Sequence, residues 1–150
     1  MNFTLERCSS LSQDKIFKIS TDVENFHNVM PDHFKSLEVI KENNCGKIVV
    51  EKIKFLGIPL KIKTKHVVIK PNVHEIHILS GPTSGTVFTE TYIQSEKGII
   101  ISINVKLVLN GYFRLFGFLE NYLKNKMSVT LDKFIIAAEK FETVATNHKN

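Results

Sequence analysis

The amino-acid sequence predicts an α+β fold: a seven-stranded, curved antiparallel sheet, two short helices after the first strand, and a long C-terminal helix packed on the concave face. From Gly111 to about Ala145, apolar residues recur in steps of three and four, the spacing that places side chains on one face of a helix. Before it, segments rich in β-branched residues are separated by short turns containing Gly, Pro or Asn. Such turns favour antiparallel neighbours over βαβ units.

The elements follow one another simply. Asn2–Cys8 alternates and predicts the first strand, and two short helices should occupy Gln13–Ser20 and a segment from Asp22 to just before Pro31. Six further strands are predicted at residues 34–41, 47–56, 59–70, 73–79, 86–94 and 99–109. Residues 1–146 are expected to form a single domain and 147–150 a loose tail.

The C-terminal helix should bury one apolar stripe. Its predicted members are Leu115, Leu119, Leu123 or Tyr122, Met127, Leu131, Phe134, Ala138 and Phe141. A helix roughly 50 Å long cannot bury such a stripe alone, so the strands must supply a wide, curved apolar partner. That arrangement leaves room for a cavity between the sheet and the helix.

Composition narrows the class of protein. With 150 residues, 43% of them hydrophobic, the chain can bury the core of one ordinary domain. It has no run of about 18 apolar residues and no signal-peptide pattern at Met1. Cys8 and Cys45 lack a partner motif and are expected to be reduced thiols, which favours a cytoplasmic protein.

The net charge of +5 comes almost entirely from lysine. Because arginine is scarce, a nucleic-acid partner is not expected. Most lysines should be the solvated face of two strands, namely Lys52, Lys54, Lys61, Lys63 and Lys65. The charge is also compatible with a transient membrane-surface contact or with an acidic partner.

Alternation indicates which side chains face the helix. On the strand at 59–70, the lysines occupy one face, and Leu60, Ile62, Thr64 and His66 occupy the other. A two-residue loop at Leu56-Gly57 pairs Phe55 with Ile58 and therefore Val49 with Thr64. The inner positions of the preceding strand are then Val49, Glu51, Ile53 and Phe55.

Two later strands leave alternatives open. A two-residue turn at Glu96-Lys97 would place Phe88, Glu90 and Tyr92 inside, and a three-residue turn would place Val87, Thr89, Thr91 and Ile93 there. A two-residue loop at Pro71-Asn72 would turn Glu75 and His77 inward and bring them to His66, a set that could hold a metal ion. One more residue in that loop would turn Ile76 and Ile78 inward, the arrangement favoured by hydrophobicity, and no metal or cofactor is expected.

The concave face should therefore be mostly aliphatic with a few polar groups. His66, Glu51 and Tyr92 are the candidate acid–base residues, and a buried Glu51 would need a partner. The predicted cavity lining consists of Val49, Ile53, Phe55, Leu60, Ile62, Thr64, His66, Ile76, Ile78, Ile101, Ile103, Val105, Phe116, Leu119, Leu123 and Met127.

Two stretches carry a resemblance to a known superfamily. Asp22-Val23-Glu24-Asn25-Phe26, followed by the run from Met30-Pro31 to Val39, is similar to a pattern of the START-like (SRPBCC) superfamily, and Gly81-Pro82-Thr83-Ser84-Gly85 precedes a strand as it does there. Its helix-grip fold is shared by Bet v 1-type proteins, polyketide cyclase/dehydrase-like proteins and the coenzyme Q-binding START-domain group. The resemblance covers about residues 2–143. It implies a ligand cavity between sheet and helix, but no particular reaction.

Three functions follow as hypotheses. The first is a carrier or chaperone of a small hydrophobic ligand, such as an isoprenoid, a quinone, a lipid or a polyketide-like molecule. The second is an enzyme of the cyclase or dehydratase type that uses His66 with Glu51 or Tyr92 as acid and base. The third is a protein-interaction module that binds through the lysine-rich outer strands.

Overall fold

The computed structural model describes residues 1–149, which form one seven-stranded antiparallel sheet, three α-helices and two 3₁₀ segments. The strands are β1 (Asn2–Ser9), β2 (Phe34–Asn43), β3 (Gly46–Phe55), β4 (Ile58–Ile69), β5 (Val73–Ile78), β6 (Val87–Ser95) and β7 (Gly98–Lys106). The α-helices are α1 (Gln13–Thr21), α2 (Phe26–Val29) and α3 (Glu120–Asn147), and the 3₁₀ segments are Val23–Asn25 and Gly111–Leu119. The predicted α+β class and element order are confirmed.

The sheet order is β1-β7-β6-β5-β4-β3-β2. Strands β2 to β7 form a meander of neighbouring hairpins, and β7 closes the series by pairing with β1. The two short α-helices therefore fill the connection between the two edge strands of the sheet.

The hairpin loops decide the open alternatives. Phe55 pairs with Ile58 across Leu56-Gly57 as predicted, and both loop residues have positive φ, which suits the twist of a two-residue hairpin. Ser95 pairs with Gly98, so Phe88, Glu90 and Tyr92 face inward. Ile69 pairs with Val73 across a three-residue loop, so the favoured inward placement of Ile76 and Ile78 is correct.

The C-terminal segment departs from one expectation. The α-helix begins at Glu120, and residues Gly111–Leu119 form 3₁₀ turns instead of its first turns. Leu115 is consequently 69% exposed, whereas Leu123 is buried and Tyr122 is not. The predicted burial of Leu115 was wrong because a 3₁₀ helix has three residues per turn. A stripe of side chains spaced for 3.6 residues per turn therefore leaves the inner face in this segment.

Helix α3 is fixed above β1 by polar contacts near the C-terminal end of that strand. Arg7 Nε donates to Asp132 Oδ1 at 2.6 Å, and Arg7 also bonds Ser128. Ser9 Oγ donates to Glu139 Oε1 at 3.1 Å. Between these anchors the helix buries Leu131, Phe134, Ile135 and Ala138 against the core.

The structure also bears on the predictions for the C-terminus, the two cysteines and membrane-spanning segments. Of the predicted tail at 147–150, Asn147 still belongs to α3, and Asn150 lies outside the described residues. Cys8 and Cys45 are free and exposed. Within residues 1–149 we find no helix that is both long and apolar enough to span a membrane.

Candidate functional site

A row of hydrogen-bonded polar side chains crosses the concave face of the sheet. It runs over four adjacent strands, from Glu51 on β3 through His66 on β4 and His74 on β5 to Glu90 and Tyr92 on β6. The register brings them together, because inward positions on neighbouring antiparallel strands lie side by side. We refer to these five residues as the polar row.

At the β3 end, a carboxylate is held by two partners from the next strand. His66 Nε2 lies 2.8 Å from Glu51 Oε1, and the Thr64 hydroxyl donates to the same oxygen. Glu51, Thr64 and His66 are all less than a tenth exposed. The expectation that a buried Glu51 would need a partner is thus met by the inward-facing residues of β4.

At the β6 end, a second carboxylate is held in the same way. His74 Nδ1 lies 3.1 Å from Glu90 Oε2, and Tyr92 Oη donates to that oxygen at 2.9 Å. Burial, and then the Glu90 carboxylate, raise the pKa of Tyr92 well above its ordinary value. Tyr92 is therefore a persistent proton donor at neutral pH and cannot serve as a base.

The two histidines join these ends into one chain. His66 Nδ1 lies 3.0 Å from His74 Nε2, so one of these nitrogens carries a proton and the other accepts it. If both outer nitrogens donate to carboxylates, the two rings carry three N–H groups, one more than two neutral imidazoles have. The hydrogen-bonded chain from Glu51 to Glu90 is therefore continuous, and each of its histidine nitrogens lies within hydrogen-bonding distance of a partner.

Burying carboxylates is unfavourable unless their oxygens are hydrogen-bonded. An isolated ionised carboxylate in a protein interior costs several kcal/mol, which only good hydrogen-bonding partners offset. Each carboxylate here has a histidine and a hydroxyl on one oxygen. Clusters of buried, mutually coupled ionisable groups concentrate at functional sites, which makes the polar row the candidate site.

The Glu90 end is the accessible end of the row. The Glu90 side chain is 16% exposed, against 1% for His74. Its second oxygen, Oε1, makes no hydrogen bond within the described part of the chain. Ile103 lies directly opposite Glu90 in the register, and Ile76 lies opposite Phe88; all three apolar residues are only half-buried. An incompletely covered apolar surface therefore borders a carboxylate oxygen with free hydrogen-bonding capacity.

The predicted lining residues fall into two groups. The fully buried ones are Val49, Ile62, Thr64, His66, Ile78, Ile101, Val105 and Leu123. The half-buried ones are Ile53, Phe55, Leu60, Ile76, Ile103, Phe116, Leu119 and Met127. The second group marks the predicted lining residues that neighbouring protein atoms cover least.

One alternative from the sequence is wrong. Glu75 and His77 face the convex side and pair with each other, with His77 Nε2 3.1 Å from Glu75 Oε2. They cannot join His66 at a metal site, because the three-residue loop before β5 reverses their face. Across residues 1–149, no cluster of three or more His, Cys, Asp or Glu side chains is arranged to hold a metal ion.

The sequence reasoning missed His74 as a member of the site. It is 1% exposed and links the two carboxylate ends. The signal was present, because the period of two that turns Ile76 and Ile78 inward also turns His74 inward. The neighbouring His77, three residues along the strand, points to the opposite face and takes no part in the row.

Two surface clefts lie away from the polar row. The larger, of about 530 Å³, lies between α1 and the C-terminal part of α3 and is lined by Lys15, Ile19, Val29 and Phe141 among others. The smaller, of about 300 Å³, lies between β1 and the start of α3. Within the described chain, neither cleft is lined by a predicted cavity residue, so they are separate from the site.

The fold is shared with solved structures of several activities. The aromatase/cyclase Zhui from Streptomyces sp. R1128 is 10% identical with a TM-score of 0.78, covering 93% of this chain and 94% of its own. Norcoclaurine synthase from Thalictrum flavum is 14% identical with a TM-score of 0.69, covering 95% and 96%. A START superfamily protein from Mycobacterium smegmatis is 12% identical with a TM-score of 0.62, covering 89% and 97%.

These likenesses establish the fold alone. The chain has the helix-grip fold of START-like proteins, as its sequence resemblance predicted. No protein-family model matches the chain, and no curated protein matches it by sequence.

Proposed function

We propose that this protein binds a small, mostly hydrophobic ligand between the sheet and α3, with the polar end of the ligand on Glu90. The observation that carries the proposal is that an apolar surface on the sheet borders a carboxylate oxygen. Half-buried Ile76, Phe88 and Ile103 offer an apolar surface, and beside them Glu90 Oε1 offers an acceptor without a partner among residues 1–149.

The chemistry of Glu90 restricts the ligand. Oε1 can accept a hydrogen bond whether the carboxyl group is ionised or carries a proton on its other oxygen. The ligand should therefore carry a donor, such as an alcohol, a phenol or an amine. Among the classes considered from the sequence, an isoprenoid alcohol or a phenolic polyketide-like molecule fits, whereas a quinone offers only acceptors.

A matched pair of ligands tests this proposal. Calorimetric titration should show 4-octylphenol binding about tenfold more tightly than 4-octylanisole, because a hydrogen bond to a charged acceptor contributes about 1.5 kcal/mol or more. Glu90→Gln should reduce this preference. Glu75→Gln, on the convex face, is the matched control and should keep it.

The apolar part of the site is tested separately. Ile103→Trp should block the binding of both compounds, because the larger side chain fills the space beside Glu90. Ile93→Trp, at a 48% exposed position on the outer face of β6, should leave binding intact. The proposal would be contradicted if wild type bound the two compounds equally tightly. It would also be contradicted if Ile103→Trp bound them as tightly as wild type does.

A second function is favoured by one specific observation, the continuous hydrogen-bonded chain of acid–base side chains in the polar row. An enzyme of the cyclase or dehydratase type must move a proton to and from carbon, and the chain from Glu90 to Glu51 can carry one. The test is solvent deuterium incorporation at the α-carbon of a bound alkyl phenyl ketone, followed by mass spectrometry. His66→Gln should then lower the exchange rate by roughly two to four orders of magnitude with binding retained. If wild type does not accelerate the exchange, the enzyme hypothesis fails and only the binding function stands.

A further inference from the structure

The 3₁₀ segment Gly111–Leu119 has two apolar faces, and one of them points away from the protein. In a 3₁₀ helix, side chains three residues apart lie in one row. Phe113, Phe116 and Leu119 form the half-buried row. Tyr112, Leu115 and Phe118 form a second row, one third of a turn away, and are 89%, 69% and 83% exposed.

The inner row holds the segment in place. The Phe113 ring lies 6.2 Å from that of Phe55 at the end of β3, and 5.6 Å from that of Phe116. At its start, Asn110 Nδ2 donates to the Ser84 carbonyl at 2.8 Å. Because the inner row is anchored, the exposure of the outer row is a feature of the docked segment. We name Tyr112, Leu115, Phe118 and the 48% exposed Tyr122 the apolar ridge.

The charges around the ridge have one predominant sign. Between Gly111 and Met127 the sequence holds Arg114, Lys124 and Lys126 against the single acid Glu120. None of the three basic side chains forms a salt bridge or donates a hydrogen bond to any of residues 1–149. Lys126 Nζ lies 5.5 Å above the Tyr122 ring, so cation and aromatic ring are presented together.

We propose that the apolar ridge and its basic flank dock on an anionic lipid surface. Amphipathic interfacial segments place aromatic and aliphatic side chains at the headgroup boundary and basic residues over anionic headgroups. The 3₁₀ part of the ridge, from Tyr112 to Phe118, is about 12 Å long at 2.0 Å per residue, which suits shallow insertion. Docking there would place the segment that packs on Phe55, at the rim of the concave face, against the membrane.

A second copy of the chain fits this surface less well. Four side chains of this size offer roughly 600 Å², less than the roughly 800 Å² per partner of a stable interface. The chain also carries a net charge of +5, which disfavours self-association and favours an anionic surface.

Vesicle sedimentation tests the proposal and needs no ligand, so its outcome is independent of the proposed function. Wild type should bind vesicles of equal parts phosphatidylcholine and phosphatidylglycerol about tenfold or more strongly than vesicles of phosphatidylcholine alone, with binding that weakens as salt rises. The triple variant Tyr112→Ser, Leu115→Ser, Phe118→Ser should lose this binding. The variant Arg114→Gln, Lys124→Gln, Lys126→Gln should lose the preference for anionic vesicles.

The matched control changes three exposed apolar side chains elsewhere. Ile40→Ser, Ile69→Ser, Ile93→Ser alters three apolar residues away from the ridge, each close to half exposed, and should bind as wild type does. Circular dichroism and thermal unfolding establish that each variant is folded. The proposal is overturned if wild type binds neither kind of vesicle, if the ridge variant binds as well as the control, or if ultracentrifugation shows the ridge serving a dimer in place of vesicle binding.

Discussion

His66 Nδ1 and His74 Nε2 face each other at 3.0 Å across β4 and β5, and each ring has its outer nitrogen on a carboxylate, that of Glu51 or that of Glu90. This contact makes two local acid–histidine pairs into one row. Because the row is one connected set of hydrogen bonds, a change at either histidine alters the hydrogen bonding of the whole set.

Removing the central histidine should destabilise the protein substantially. His74→Ala removes one hydrogen-bonding partner from His66 and one from Glu90, and we expect the free energy of unfolding to fall by about 2–3 kcal/mol. His77→Ala is the matched control, since it changes the same residue type on the outer face of the same strand, and it should stay within about 0.5 kcal/mol. Urea unfolding measures both, and equal losses would contradict the central role of His74.

Tyr92 should make stability depend on alkaline pH. Its folded pKa is raised, by burial first and Glu90 second, so the folded chain keeps this proton while the unfolded chain releases it near its ordinary pKa of about 10. The contribution is present below about pH 10 and is lost as the pH rises above it. Tyr92→Phe should flatten that loss, whereas Tyr112→Phe, at a position 89% exposed, should leave it unchanged in a series of unfolding curves.

His33 should contribute to the loss of stability in acid. Burial, and then the nearby Lys133, lower its pKa below the ordinary 6.5. The unfolded chain therefore takes up a proton at His33 before the folded chain does, and stability falls as the pH drops below about 6.5. His33→Gln should show a shallower decline between about pH 7 and pH 5. An unchanged slope in thermal unfolding across this range would show that His33 does not contribute.

The two faces of the 3₁₀ segment should respond differently to the same change. Phe113→Ala removes packing against Phe55 and Phe116 and should cost about 1–2 kcal/mol of unfolding free energy. Phe118→Ala, at a position 83% exposed, should cost less than about 0.5 kcal/mol. If both variants lost stability equally, the period of three in this segment would be wrong.

The candidate site shows where the sequence was informative. The two-residue loop at Leu56-Gly57 fixed the pairing of β3 with β4, so Glu51, Thr64 and His66 could be placed together from the pattern of residues alone. Glu90 and Tyr92 stayed open because alternation gives the two faces of a strand but does not say which one turns inward. The loops at 70–72 and 96–97 decide that, and one residue more or less reverses a strand.

By itself, the sequence determined the order of the elements, the antiparallel sheet, the helix-grip architecture and the aliphatic character of the concave face, because periods of 2 and 3.6 residues are local properties of a chain. Tertiary structure decided that His74 would link His66 to Glu90, since that depends on the register of β4, β5 and β6. It also decided that Gly111–Leu119 would adopt 3₁₀ turns and expose Tyr112, Leu115 and Phe118. In that segment Phe113 packs on Phe55, a residue distant in sequence. Such a long-range contact cannot be predicted from local periodicity.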